Sequence, residues 1–193
     1  MANMDQPKKT VALLTLGCRV NQYETAALSE RLLAAGFAVT EDMEAAELFL
    51  VNTCAVTAES ARKSRQLVRR CAAKGATFVL GCASQLEPER FLRIPNVRYV
   101  GGNGAKGAVC AAIASPPEET VCAVGDIRRI PYEPLSVEGG GRLLSGCRAY
   151  VKIQDGCSAR CTYCVIPACR GGSRSRPPEE ILAEARRLAA AGI

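Results

Sequence analysis

The chain has 193 residues, 48% of them hydrophobic, and 25 lysines and arginines against 19 acidic residues give it a net charge of +6. Length and apolar content suit one full domain and part of another and exclude a generally disordered chain, while the mild positive excess fits a polyanionic partner without requiring one. Eleven cysteines, an odd number, argue against a disulfide framework and for metal binding in a reducing compartment.

The first segment, "KKTVALLTLGC", has a basic start and an apolar run, but Asp5 lies in the basic region and the run reads as a buried strand, so a cytoplasmic protein is expected. No apolar stretch approaches the ~20 residues of a membrane span. Strand-like runs follow at 10–17, 47–53, 77–81, 97–101 and 120–124, with helix-like segments at about 24–35, 57–74, 86–92 and 104–114 between them. Gly36 and Gly75 stand where helix C-terminal glycines belong. Strands that are apolar throughout and alternate with helices predict a parallel sheet covered on both faces, an α/β three-layer domain over residues 1–125.

Residues 126–146, with "RRIPYEP" and "EGGGR" in and beside them, read as a linker with little core of its own. A strand at 147–154 leads into a cysteine loop, and "RSRPPEEILAEARRLAAAGI" is a helix with proline and glutamates in its first turn. One strand, one loop and one helix cannot bury a core alone. Residues 147–193 are therefore expected to be the first βα unit of an incomplete (β/α) barrel, and the chain a piece of a longer protein.

Cys18, Cys54 and Cys82 each follow an apolar strand directly, in "LLTLGC", "FLVNTC" and "FVLGC". In a parallel sheet those positions share the carboxyl edge, so the three thiols are predicted to converge there, with Gly17 and Gly81 permitting close backbone approach. Cys71, Cys110, Cys122, Cys147 and Cys169 read as structural, as small buried hydrophobes. The loop "DGCSARCTYCVIP" sets Cys157, Cys161 and Cys164 in a C-x3-C-x2-C spacing in a chain without histidine. Cys169 is available as a fourth ligand for zinc or a closed cluster. Alternatively, three thiolates on a four-iron cluster leave one iron open, as a reactive site requires. Gly156 permits the turn out of the strand, Tyr163 is placed to cover a cluster, and Arg160 and Arg170 supply compensating charge.

These motifs, with "TLGCRVNQYET", "VNTCAVTAESARKSRQ", "GCASQ" and "RGGSRSRPPEEILAE", resemble the radical S-adenosylmethionine (SAM) enzymes. Within them they are most similar to the methylthiotransferases that modify adenosine 37 of tRNA. The forms "NQYET" and "RSRP" favour the MtaB type, acting on N6-threonylcarbamoyladenosine, over the type acting on isopentenyladenosine. The resemblance implies two [4Fe-4S] clusters. One, on Cys157, Cys161 and Cys164, binds and cleaves S-adenosyl-L-methionine; the other, an auxiliary cluster on Cys18, Cys54 and Cys82, takes part in sulfur donation. A radical formed from the cofactor would take hydrogen from C2 of the adenine, where a methylthio group is installed. Partners implied are tRNA, an electron donor of flavodoxin or ferredoxin type and a sulfur source. Ala168 and Cys169 depart from the family pattern. With most of the barrel absent, the chain as given is not expected to be a competent catalyst. Arg62, Lys63, Arg65, Arg69, Arg70 and Lys74 read as a solvated helix face, and Arg170, Arg174 and Arg176 as the phosphate contacts.

Overall fold

A computed structural model describes residues 9–104, 106–130, 135–137 and 149–192. Strands β1 (Thr10–Thr15), β2 (Ala38–Thr40), β3 (Leu48–Thr53), β4 (Ala76–Gly81), β5 (Val97–Gly101) and β6 (Val121–Ala123) form one sheet in the order β2-β1-β3-β4-β5-β6. All of its pairs are parallel. The five expected strands are present; β2, three residues at one edge, is too short to show a period in sequence.

Alternate residues serve opposite faces. Val11, Leu13, Leu50, Phe78 and Leu80 pack against α1 (Arg19–Ala34) and α5 (Ala108–Ala114), whereas Ala12, Phe49, Val51 and Val79 pack against α2 (Ala58–Ala72) and α4 (Glu89–Leu92). Burial on both sides is why these strands are apolar throughout. Three helices depart from expectation. α1 starts at Arg19 rather than 24, because "RVNQY" turns polar side chains into a buried polar interface and so lacks an apolar repeat. The segment expected as a helix at 86–92 keeps only α4 (Glu89–Leu92) as its own helix, and a separate short helix, α3 (Cys82–Leu86), precedes it; the two are divided at Glu87 and Pro88, which has no N–H to continue the ladder. The helix expected from 104 begins at Ala108, after Gly104 and Gly107.

Beyond the sheet, β7 (Gln154–Asp155) pairs antiparallel with β8 (Arg174–Ser175), and α6 (Ile166–Arg170) and α7 (Pro178–Ala190) complete the elements. Residues 149–153 are not a strand, contrary to expectation, and Cys147 lies outside the described residues. A barrel strand needs parallel neighbours for its peptide groups, and among the described residues none lies beside 149–153. The segment expected as a linker has more core than its composition suggested. Ile127, Leu135 and Val137 are buried, and the last two join the apolar cluster under α1.

Candidate metal centre

In the order β2-β1-β3, successive connections leave β1 in opposite directions, and a doubly wound sheet opens its ligand crevice at the carboxyl ends flanking such a reversal. Cys18 is the N-cap residue of α1 directly after β1, Cys54 follows β3, and Cys82 opens α3 directly after β4. Neighbouring strands thus bring all three to one edge. Cys18 is exposed and Cys54 and Cys82 are buried. Glycine is required here: Gly17 has φ +104°, and a Cβ on it would lie 2.7 Å from Cys54 Sγ. At Gly81, φ is +111° and a Cβ would lie 2.4 Å from the Thr53 carbonyl.

Cys169, read from sequence as structural or as a ligand beside Cys164, sits elsewhere. It is fully buried on α6, which packs against α3, with its Sγ 3.9 Å from the Cys82 carbonyl oxygen. Asn103 holds the pair together: its Nδ2 donates to Cys82 Sγ at 3.4 Å and to the Cys169 carbonyl at 2.9 Å. A hydrogen bond with Cys169 leads the influences that bring Cys82 down to about 5, aided by Arg170 and Lys106 and opposed by burial. The same contact, with burial, pushes Cys169 up. This placement also removes Cys169 from a four-thiol knuckle with Cys157, Cys161 and Cys164. Among the described residues, no three cysteine, aspartate or glutamate side chains stand ready to hold a single ion.

The loop of Cys157, Cys161 and Cys164 is held by its own backbone. Cys157 N–H donates to the Gly171 carbonyl at 3.0 Å, Ser158 and Ser173 exchange N–H to hydroxyl bonds at 3.0 Å, and Cys164 N–H closes a turn onto the Cys161 carbonyl at 3.1 Å. A Cβ on Gly156 would lie 2.1 Å from the Gly172 carbonyl, so only glycine fits this crossing. Cys161 is exposed, and Cys157 and Cys164 are half-buried. Tyr163, between Cys161 and Cys164, is 90% exposed. Four residues, mostly helix, separate Cys164 from Cys169, which keeps their Cα atoms within about 17 Å even for a fully extended chain.

Between them lies a buried charge cluster. Glu24 accepts from Lys152 and from Arg170 Nη1, both at 2.8 Å, and from Lys106; Asp155 accepts from Lys152 at 3.0 Å and Arg170 at 2.8 Å. Burial disfavours the Glu24 carboxylate, but Lys106, Arg170 and Lys152 outweigh it and hold its carboxyl well below the usual range. Three cations against two carboxylates leave one positive charge beside Cys82, the sign a thiolate-rich site needs.

This placement corrects the expected phosphate contacts. Arg170 and Arg176 are each only 3% exposed. Arg170 bonds Glu24, Asp155 and Asn21, and Arg176 bonds Glu184 at 2.6 Å and the Tyr23 hydroxyl at 3.1 Å. Arg174, half-buried, donates to the Arg170 and Ile130 carbonyls. Guanidinium groups so engaged face protein rather than RNA. Cys71 is a core thiol pushed up to about 11 by burial, as expected, whereas Cys122 is exposed on edge strand β6 rather than buried.

Sequence reasoning missed Asn103, Glu24, Lys106 and Lys152. Glu24 carried a signal, as the acidic member of "NQYET" directly after a strand-end cysteine. The other motifs are scaffolding of the same kind: Asn52 Nδ2 donates to the Asn21 carbonyl, Thr53 to the Leu80 carbonyl, Ser84 to the Gly101 carbonyl and Gln85 to the Gly125 carbonyl.

A donor set of thiols with no histidine in the chain suits iron–sulfur chemistry. Consistent with it, residues 151–193 match the model of the Radical SAM superfamily, and residues 10–102 match the family described as Uncharacterized protein family UPF0004. These matches and the relatives below make the chain similar to the radical SAM methylthiotransferases, those of the MtaB type among them. It is 38% identical over 189 residues to "Threonylcarbamoyladenosine tRNA methylthiotransferase MtaB" of Bacillus subtilis (strain 168), covering 95% of this chain and 41% of that protein. It is 33% identical over 190 residues to the protein of the same name from Aquifex aeolicus (strain VF5), covering 95% of this chain and 45% of that one. It is also 33% identical over 192 residues to "Ribosomal protein uS12 methylthiotransferase RimO" of Synechococcus sp. (strain RCC307), covering 96% of this chain and 38% of that one. The chain spans about two fifths of the length of these curated relatives.

Proposed function

We propose that this chain supplies the cysteine sites of an enzyme that methylthiolates C2 of N6-threonylcarbamoyladenosine 37 in tRNA. The observation that carries the reading is the placement of Cys18, Cys54 and Cys82 at the carboxyl ends of three neighbouring strands, with the segment that follows the C-x3-C-x2-C loop docked there through α3 and α6. Cys157, Cys161 and Cys164 would hold a [4Fe-4S] cluster supplying one-electron cleavage of S-adenosyl-L-methionine, and Cys18, Cys54 and Cys82 would hold an auxiliary one. The chain's own residues position these thiols. Asn103 and Arg170 fix the surroundings of Cys82, the Ser158–Ser173 exchange fixes the loop, and the buried cations offset thiolate charge.

Anaerobic reconstitution with iron and sulfide is expected to load about eight irons per chain, falling to about four in Cys157→Ala/Cys161→Ala/Cys164→Ala and likewise in Cys18→Ala/Cys54→Ala/Cys82→Ala. Stoichiometric zinc without sulfide would overturn the reading in favour of a binding module. The uS12-directed relative motivates one further substrate to test. Expressing the gene in a host lacking its own methylthiotransferases, followed by mass spectrometry of tRNA nucleosides and of uS12, would decide. A methylthio group only on isopentenyladenosine or on uS12 would refute the threonylcarbamoyladenosine assignment.

A further inference from the structure

The basic stretch of α2 divides in the structure into paired and unpaired cations. Arg62 and Lys63 pair with Glu59, and Lys74 pairs with Glu44 at 2.8 Å. Arg65 and Arg69 instead turn toward α4 and meet Arg90 and Arg93 around a hollow of about 350 Å³ floored by Ile94 and Pro95. Glu87 is the carboxylate there, 3.0 Å from Arg90 and 3.6 Å from Arg65, and Arg69 and Arg93 have no carboxylate partner among the described residues. Four guanidinium groups against one carboxylate leave three positive charges on one concave surface. All four cations are arginines, whose planar donor forks match phosphate oxygens two at a time.

The hollow also lies at a useful distance from the cysteines. α2 leaves the sheet edge just after Cys54, and Arg69 stands 11 residues past Ala58, about 17 Å along the helix axis.

We propose that Arg65, Arg69, Arg90 and Arg93 form a phosphodiester-binding site for RNA, gripping the backbone about 17 Å along α2 from the cysteine edge where a base is presented. The proposal rests on the reading that the substrate is RNA, and it assigns to α2 and α4 the backbone contact that Arg170 and Arg176 are too buried to make. Such a contact reads charge and spacing, not base identity.

The test is fluorescence anisotropy of the chain with a labelled anticodon stem-loop and with a hairpin of scrambled sequence, across a salt series. Arg69→Glu/Arg93→Glu is expected to weaken both RNAs at least about tenfold and to reduce the slope of log K against log salt by about 1.5, the sum for two lost phosphate contacts. Arg69→Gln/Arg93→Gln should fall between it and the parent, and Arg128→Glu/Arg129→Glu, at an exposed site elsewhere, should change little. Thermal melts report whether each variant is folded. RNA binding by the parent that survives Arg69→Glu/Arg93→Glu with affinity and slope intact overturns this site alone. Equal weakening in Arg128→Glu/Arg129→Glu overturns it as well, since net charge would then be the cause. A parent that binds neither RNA overturns both the site and the RNA reading.

Discussion

Glu24→Gln is expected to lower the melting temperature on the order of 10 °C, from a substitution that barely changes side-chain shape. Glu24 is 1% exposed and is the hub that Lys106, Lys152 and Arg170 share. Removing its charge leaves Asp155 as the buried carboxylate that Lys152 and Arg170 share among the described residues. Deleting one member of such a buried ionic set costs about 3–5 kcal/mol, because the remaining ions stay desolvated. For a chain of this size each kcal/mol moves the melting point by roughly 2–4 °C. The effect has a pH signature. Glu24 and Asp155 titrate below their ordinary values of 4.5 and 3.8, so the stability they bring is complete above those values. It is lost as pH falls from there through the lower folded values. Parent stability should therefore drop on acidification below about pH 4.5 more steeply than that of Glu24→Gln. Melts that coincide within a degree or two at pH 7 would show that the cluster contributes nothing net.

The second large effect belongs to Glu184→Met, which should release α7 and the cysteine loop from the sheet domain while the sheet stays folded. Glu184 on α7 is fully buried, 2.8 Å from the Tyr23 hydroxyl on α1 and 2.6 Å from Arg176 Nη1. Burial, and then the Glu184 carboxylate, push the Tyr23 phenol above its ordinary range, so it remains a neutral hydrogen-bonding group throughout the working pH range. Without Glu184, the other carboxylate beside Arg176 among the described residues is the half-exposed Glu180, at 3.7 Å. A cost of about 3–5 kcal/mol is again expected, and Arg176→Met/Glu184→Met should recover most of it because no buried charge is then left over. Hydrogen exchange is the discriminating measurement: amides of 152–192 should open early in Glu184→Met while those of β1, β3 and β4 stay protected. Uniform loss of protection, or a double variant no better than the single one, would refute a local latch.

Much of this was written in the chain one segment at a time. Continuous apolar runs such as "ELFLVNT" and "TFVLG" announced strands buried on both faces, and a cysteine at the end of three of them was enough to predict one shared edge. The C-x3-C-x2-C loop was equally legible, because closely spaced ligands carry their geometry in their spacing. The start of α1 was not, since a helix that buries polar side chains against polar partners has no apolar stripe to find. Nor was the division of 86–92, where Pro88 overrode an otherwise helical pattern.

The sequence by itself determined the local matters: which segments are strands, which thiols follow them, and which residues form the compact loop. Those depend on neighbours within a few residues. Only the tertiary structure decided the destinations of long side chains. It set Cys169 against Cys82 instead of Cys164, drew Arg170 and Arg176 inward to Glu24 and Glu184, and left Arg69 and Arg93 outward beside a hollow. An arginine in a sequence has one charge and many possible partners. Arg170 is buried beside Glu24, 146 positions away, and Arg176 meets the Tyr23 hydroxyl across 153, distances that folding alone closes.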